Sequence, residues 1–301
     1  FEYGIRLYGR KLPRPDLIYV HVPPNEDACA ALALARHFRC AGIVNVQDIH
    51  PDSAIELGYI RNPLVIRLLR AQQRRLFTAA AYVTTIGGGL KRKLVFNGVS
   101  ASKIQIVPNW IDSEAIVPLS RLNPLRREWG IAPEKFVALY AGTLGRVHNT
   151  PMILEAAKAL AARNDICFLL VGQGHDFEKN RRLISEWRIG NVQIRGPVPR
   201  LRLSELQALA DVSLVTLRRG FGQTSVPSKV LGYMSAGRGV VAAVDADCDT
   251  ADTIRAAECG VVLPPEDVNA LTRTLSALAA DRGTCEAWGF AARRYVLEHL
   301  D

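Results

Sequence analysis

The feature that most constrains this chain is a regular alternation of short, nearly unbroken apolar runs with longer stretches of helical composition. The runs of the first half are Leu17–Val22, Ile43–Gln47, Tyr82–Ile86 and Ile104–Val107. Those of the second are Phe136–Ala141, Cys167–Val171, Val192–Arg195, Val212–Leu217, Gly239–Val244 and Gly260–Leu263. A strand with one wet face alternates apolar and polar residues. These runs do not, so they predict parallel strands covered by helices on both faces. Between them, Asp27–His37, Asn62–Ala79, Met152–Ala162, Leu203–Ala210 and Val268–Ala280 read as helices, and Asn149-Thr150-Pro151 supplies a start signal for one of them. Strands joined through helices imply right-handed crossovers and an α/β fold class. At 301 residues the chain can fill two domains. The pattern lapses across 112–133, at Pro118, Ser120, Asn123-Pro124 and Arg126-Arg127. That lapse predicts a first domain over 1–120 and a second over 121–301.

No run approaches the roughly 18 apolar residues of a membrane-spanning helix, and the start carries no signal-peptide pattern. The formal charge of +9 is unevenly placed: residues 1–125 hold 16 Lys/Arg against 9 Asp/Glu, and residues 126–301 hold 22 against 20. A basic front half suits nucleotide diphosphates or phospholipid headgroups as well as an idle solvated face. Neither zinc-finger spacing nor a basic tail with heptads points to a nucleic-acid partner. In Asn62–Ala79, Val65, Leu68, Leu69 and Leu76 mark one stripe, with Arg67, Arg70 and Arg74 on another. The stripe fits a helix packed on its sheet, and it also fits a membrane surface. Six cysteines without a CxxC predict reduced, mostly buried thiols in a cytoplasmic protein, and no spacing of side chains predicts a metal site.

Parallel sheets bind ligands at the carboxyl ends of their strands, so the residues that follow the runs are the candidates. After Phe136–Ala141 come Gly142, Thr143, Gly145, Arg146 and His148. The glycines permit close backbone approach, and Arg146 and His148 could add charge-assisted bonds to phosphate oxygens. Gly174 follows Cys167–Val171, while Gly196, Val198 and Pro199 follow Val192–Arg195 and could hold a flat ring. The stretch from Arg219 carries Gly222, Ser225, Pro227, Ser228 and Lys229 into a helix. A lysine in a first helical turn opposes the helix dipole unless an anion is near. In the front half, Ile43–Gln47 feeds Asp48, His50 and Asp52. His50 could bond a sugar hydroxyl or cap its loop, and the two aspartates could act as acid and base.

Taken in order, V-Q-D-I-H-P-D-S (46–53), I-V-P-N-W-I-D (106–112), Y-A-G-T-L-G (140–145), F-L-L-V-G-Q-G (168–174), I-R-G-P-V-P (194–199), P-S-K-V-L-G-Y-M-S-A-G-R-G-V-V (227–241) and G-V-V-L-P-P-E-D (260–267) resemble the retaining glycosyltransferases of family 4. The resemblance is strongest to bacterial colanic-acid and amino-sugar-type polysaccharide enzymes. It implies a GT-B architecture of two Rossmann-like domains facing across a cleft, the first incomplete at its N-terminus. It also implies retaining transfer from a UDP-sugar to a hydroxyl of a lipid-linked acceptor, such as a polyprenyl-diphosphate-linked glycan, at the cytoplasmic face of the membrane. No cofactor beyond the donor is implied. Gly142–His148 and Ser225–Lys229 would surround the donor diphosphate, Gly196–Pro199 would lie near the base, and His50 near the transferred sugar. Arg146 and Lys229 would stabilise the leaving group.

The sequence departs from the family where Thr143, His148 and Gly232 stand at positions that commonly hold Arg, Lys and Glu. Two other readings fit the residues: a non-catalytic nucleotide- or phospholipid-binding module of the same fold, and a UDP-sugar epimerase. A dinucleotide oxidoreductase is disfavoured because the chain lacks the GxGxxG fingerprint with its downstream acid.

Overall fold

A computed structural model describes residues 4, 9–49, 51–56, 58–224 and 226–301. Among the described residues, two all-parallel sheets hold ten strands. The first runs in the order β1-β2-β3-β4, from β1 (Leu17–Val22), β2 (Ala41–Val46), β3 (Tyr82–Thr85) and β4 (Ile104–Ile106). The second contains β5 (Phe136–Ala141), β6 (Ile166–Val171), β7 (Val192–Arg195), β8 (Val212–Thr216), β9 (Gly239–Ala243) and β10 (Gly260–Leu263), in the order β10-β9-β8-β5-β6-β7. Every apolar run became a strand, and no end moved by more than two residues.

The chain divides into two compact units, Phe1–Asn109 with Gln223–Val226, and Trp110–Gly222 with Pro227–Asp301. Residues 110–120 are tied into the second unit. The Ile111 N–H donates to the Leu300 carbonyl at 2.8 Å, and the Ser113 N–H to the Asp301 carboxylate at 3.0 Å. Of the six cysteines, all with free thiols, Cys167, Cys248, Cys259 and Cys285 are buried.

In the first unit, Val44, Val46, Phe77, Val83, Leu90, Leu94 and Ile104 make a dry core on one face of the sheet, against which Ala28 and Leu32 of helix Asn25–Phe38 also pack. The expectation of cover on both faces is corrected here. Leu17, Tyr19 and Tyr82 stay 50%, 46% and 52% exposed on the other face. That face is polar toward the strand ends, where Asn45 bonds His21 at 3.0 Å and Thr84 at 2.8 Å. The helix Pro63–Ala79 opens on Asn62, whose side chain accepts from the Leu64 N–H at 2.9 Å. It buries Gln73, Leu76 and Phe77 only, so the apolar stripe packs over its C-terminal half. Leu64 and Leu68 remain 74% and 69% exposed. Asp52 is buried, accepting from Arg70 Nε and Asn97 Nδ2 at 3.0 Å each. A carboxylate so paired is an internal clamp rather than an acid or base for a substrate.

The second unit is a doubly wound sheet. Counted from β5, its strand order is that of a Rossmann fold, with the chain reversing direction across the sheet between β5 and β8. Strands β5 and β6 are buried at all their residues, which explains their unbroken apolar sequence. The loop-like stretch ahead of β5 conceals a structural element. Pro124–Glu128 is a short helix capped by Asn123, and Arg126 turns inward to 2% exposure. Its guanidinium donates to the carbonyls of Lys135 at 2.8 Å, Ala132 at 2.9 Å, and Pro133 and Leu209 at 3.3 Å. Removing such a donor strands several buried acceptors. Arg126→Met is therefore expected to destabilise the second unit by about 3 kcal/mol, read as a lower urea midpoint. An unchanged midpoint would show that the carbonyls find other partners.

Candidate functional site

The strand order places the reversal of the second sheet beside β5, and the loop that follows this strand is built against its neighbour. The Gly142 N–H donates to the Val171 carbonyl and the Leu144 N–H to the Gln173 carbonyl, both at 2.9 Å. Gly172, at φ +152°, could carry no Cβ, because that atom would lie 1.9 Å from the Gly142 oxygen. Gly174 meets the Leu144 oxygen at 2.6 Å in the same way, so this glycine sets the spacing of two loops. Gly145 leads into a 3-10 turn, Arg146–His148, which stands ahead of the helix Thr150–Ala159.

Lys229 opens the helix Lys229–Ser235 and reaches back to the end of β5. Its Nζ donates to the Tyr140 hydroxyl at 2.5 Å and lies 3.8 Å from the centre of that ring. The same hydroxyl donates to the Thr143 carbonyl at 2.7 Å. The lysine stem runs along Gly142, where a Cβ would come within 3.0 Å of Cε. Burial pushes the Lys229 ammonium down to about 7. It also raises the Tyr140 phenol well above its ordinary value, so this hydroxyl keeps its proton.

His148 sits beyond Tyr140, with ring centres 6.4 Å apart. Burial, and secondarily the charge of Lys229, holds its imidazole at about 3. Near neutral pH it is therefore uncharged, which corrects the expectation that it brings charge to a phosphate. It offers hydrogen bonds instead, and its Nδ1 is buried without a partner among the described residues. Arg146 is exposed and donates to His175 Nε2 at 3.3 Å. That bond fixes the His175 tautomer, leaving Nδ1–H to donate to Asp176 at 3.0 Å.

A cavity of about 210 Å³ opens at the ends of β5, β6 and β7. Gly142, Thr143, Pro197, Val198, Leu206 and Gln207 are among its lining residues, none of which is charged. Gly196 and Pro199 flank Pro197 and Val198 without lining it. Ser228 is exposed at the start of the Lys229 helix. Gly222 is placed by packing: a Cβ there would lie 2.9 Å from Cys248, and its N–H donates to Asp245 at 3.1 Å. Asp245 also accepts from the Gly220 N–H at 2.8 Å, which pins the loop after β8. His50 and Ser225 lie outside the described residues. In the first unit, a second cavity of about 340 Å³ is lined by Pro24, Glu26, Pro51, Leu69 and Gln72 among others.

Among the described residues, the structure thus gathers Gly142, Thr143, Gly145, His148 and Lys229 around the end of β5, with Val198 across the cavity. Three further residues escaped the sequence reading. Asp245 follows β9 and was within reach of the strand-end rule. Gln207 is a polar residue within the apolar run Leu203, Leu206 and Leu209. Tyr140 gives no sign, since it reads as one more strand residue.

Residues 123–295 match the family described as glycosyl transferases group 1, and residues 4–110 a glycosyl transferase 4-like domain. The chain is similar to WcaI of Escherichia coli K12, a glycosyl transferase named for colanic acid biosynthesis, with 25% identity over 88% of this chain and 66% of that protein. It is also similar to the GDP-mannose-dependent alpha-(1-6)-phosphatidylinositol monomannoside mannosyltransferase of Mycolicibacterium smegmatis, with 23% identity over 81% of this chain and 64% of that one. The chain therefore spans less than two thirds of the length of these curated relatives. Its fold is that of solved GT-B enzymes. Anabaena HepE in complex with UDP-glucose superposes with a TM-score of 0.79 at 15% identity, covering 100% of this chain and 78% of that one. For sucrose-phosphate synthase from Thermosynechococcus elongatus the values are 0.78, 18%, 100% and 72%.

The Lys229 environment has a consequence that needs no ligand. Between pH 7 and 10.5 the unfolded chain holds a proton on this amine that the folded chain lacks, so stability should rise with pH across that window. In Lys229→Met this part of the rise should vanish, measured as urea midpoints from pH 6.5 to 10. Parallel curves for the two proteins would mean that the amine is charged and hydrated in the fold.

Proposed function

The chain belongs to the group 1 glycosyl transferases, and we propose that it transfers a sugar from a UDP-sugar to a hydroxyl of a lipid-linked or polysaccharide-precursor acceptor, with retention at the anomeric carbon. The observation that carries this reading is the Lys229 amine, withdrawn from water beside a two-glycine loop and next to an uncharged cavity. A diphosphate supplies the countercharge that makes a protonated lysine favourable there. The cavity beyond Gly142 then takes the nucleoside, with Pro197 and Val198 against its flat face. The UDP-glucose complex of Anabaena HepE supports a uridine donor.

In the reaction, the bond from the anomeric carbon to the donor phosphate oxygen breaks, and a bond to the acceptor oxygen forms on the same face. The proton of the acceptor hydroxyl passes to the departing phosphate, so no enzymic nucleophile is needed. Negative charge grows on the diphosphate as it leaves. Lys229 and the loop N–H groups stabilise it, Arg146 adds charge from the exposed rim, and neutral His148 donates a hydrogen bond. His50 is assigned to the transferred sugar on the family resemblance.

A lipid-linked acceptor is supported by the name of the Mycolicibacterium relative and by the surface of the helix Pro63–Ala79. Exposed Leu64 and Leu68 stand on it next to arginines, a combination that suits an anionic membrane surface. No helix among the described residues is long and apolar enough to cross a membrane.

Calorimetry with UDP, GDP and ADP at pH 7 tests the donor reading. Selective UDP binding is expected, weakened about ten- to a hundredfold in Lys229→Ala. UDP affinity should also fall as pH rises from 7 to 9, since the amine must gain a proton to hold the anion. A folded protein that ignores UDP would overturn the reading. Product analysis separates transfer from its rivals: a new glycoside marks a transferase, an isomerised donor an epimerase, and binding without turnover a non-catalytic module. For the membrane, sedimentation with vesicles should show binding when phosphatidylglycerol is present and little on phosphatidylcholine alone. The double substitution Leu64→Asp and Leu68→Asp should abolish it, and retention of binding would exclude this helix as the contact.

A further inference from the structure

The cavity at the ends of β5, β6 and β7 divides the second unit's candidate site by polarity. Its walls carry no charge, whereas Lys229 lies on the far side of Gly142. Three of its lining side chains are polar: Thr143, Gln173 and Gln207. The first two are exposed, and Gln207 is 6% exposed. The Gln207 Oε1 is buried and has no hydrogen-bond partner among the described residues. A buried amide oxygen without a donor is costly. A ligand N–H or O–H brought to it would recover that cost. On the side of Gly232 a Cβ would stand 3.6 Å from Gln207 Nε2, an ordinary contact distance. The last torsion of glutamine is broad, so either end of the amide can be presented to the cavity.

We propose that Gln207 reads the nucleoside half of the donor, its Oε1 accepting an N–H of the base or an O–H of the ribose. This rests on the nucleotide-donor reading above and assigns that reading a specificity-determining residue. An apolar slot alone discriminates nucleosides weakly, whereas a slot with one buried, otherwise unpaired acceptor rejects a ligand that brings no donor to it.

The test is calorimetry of the wild type and Gln207→Met with UDP, 3-methyluridine diphosphate and 2′-deoxyuridine diphosphate, alongside thermal unfolding of both proteins without ligand. Gln207→Met should bind UDP about three- to tenfold more weakly. Its melting midpoint should be equal or higher, because an unpaired buried amide has been replaced by an apolar side chain of similar length. The wild type should discriminate against one analogue, and Gln207→Met should not. Loss on N3 methylation locates the contact at the base, and loss on 2′-deoxygenation at the ribose. Unchanged UDP affinity in the variant, equal discrimination by both proteins, or a lowered midpoint would overturn the assignment. Failure of the folded wild type to bind UDP is a different result, which removes the uridine-donor reading and this inference with it.

Discussion

The backbone of the loop after β5 lies on that of the loop after β6 at a separation that admits no side chain at Gly172 or Gly174. Much of the second unit's candidate site follows from this constraint. Because the two loops touch through main-chain atoms, the Gly142 peptide is held from both sides and the Thr143 carbonyl has a fixed place. Tyr140 can then use that carbonyl as an acceptor and offer its own oxygen to Lys229. The lysine needs the bare α-carbon of Gly142 to pass. A side chain added at either glycine position would move the amine, the phenol and one wall of the cavity together.

The amine so held is an unusual cation. A lysine over a phenol ring ordinarily gains from the attraction of the ring face. Here the loss of water outweighs that gain and leaves the ammonium only marginally favoured near neutral pH. His148, next to it, has moved further in the same direction and is neutral. The end of β5, with its two basic groups, thus carries less charge near neutral pH than those residue types suggest. In the proposed reading, its cationic character appears as the diphosphate enters, so the interaction is strongest with the ligand that carries the most compact negative charge.

The strands were readable because burial on both sides of β5 and β6 writes itself directly as uninterrupted apolar residues. The same logic misled in the first unit. Leu17 to Val22 looks nearly continuous, broken only by His21, because Leu17 and Tyr19 count as apolar, although one face of that strand is half open. Glycine loops at the ends of strands were also readable, and Lys229 stood out through its conflict with the helix dipole. Arg126 was not. Two adjacent arginines beside an Asn-Pro look like solvated linker, and only the turn of the chain shows that one of them faces four carbonyls. Tyr140 and Gln207 were hidden for a similar reason. Their roles depend on which atom lies opposite, and residue type carries no record of that.

The separation of charge from the uncharged cavity bears on how such a protein can drift. Val198, Leu203 and Leu206 stand on a loop and a helix that contribute no bond to Lys229 or Tyr140. In the proposed reading, replacing them reshapes the nucleoside slot while leaving the phosphate contact of Lys229 in place. Preference for one nucleobase over another can therefore be retuned by a few neutral exchanges, without passing through a form that has lost its hold on the phosphates. A fold arranged this way could spawn lineages with different donors while its lysine and its glycines stay fixed.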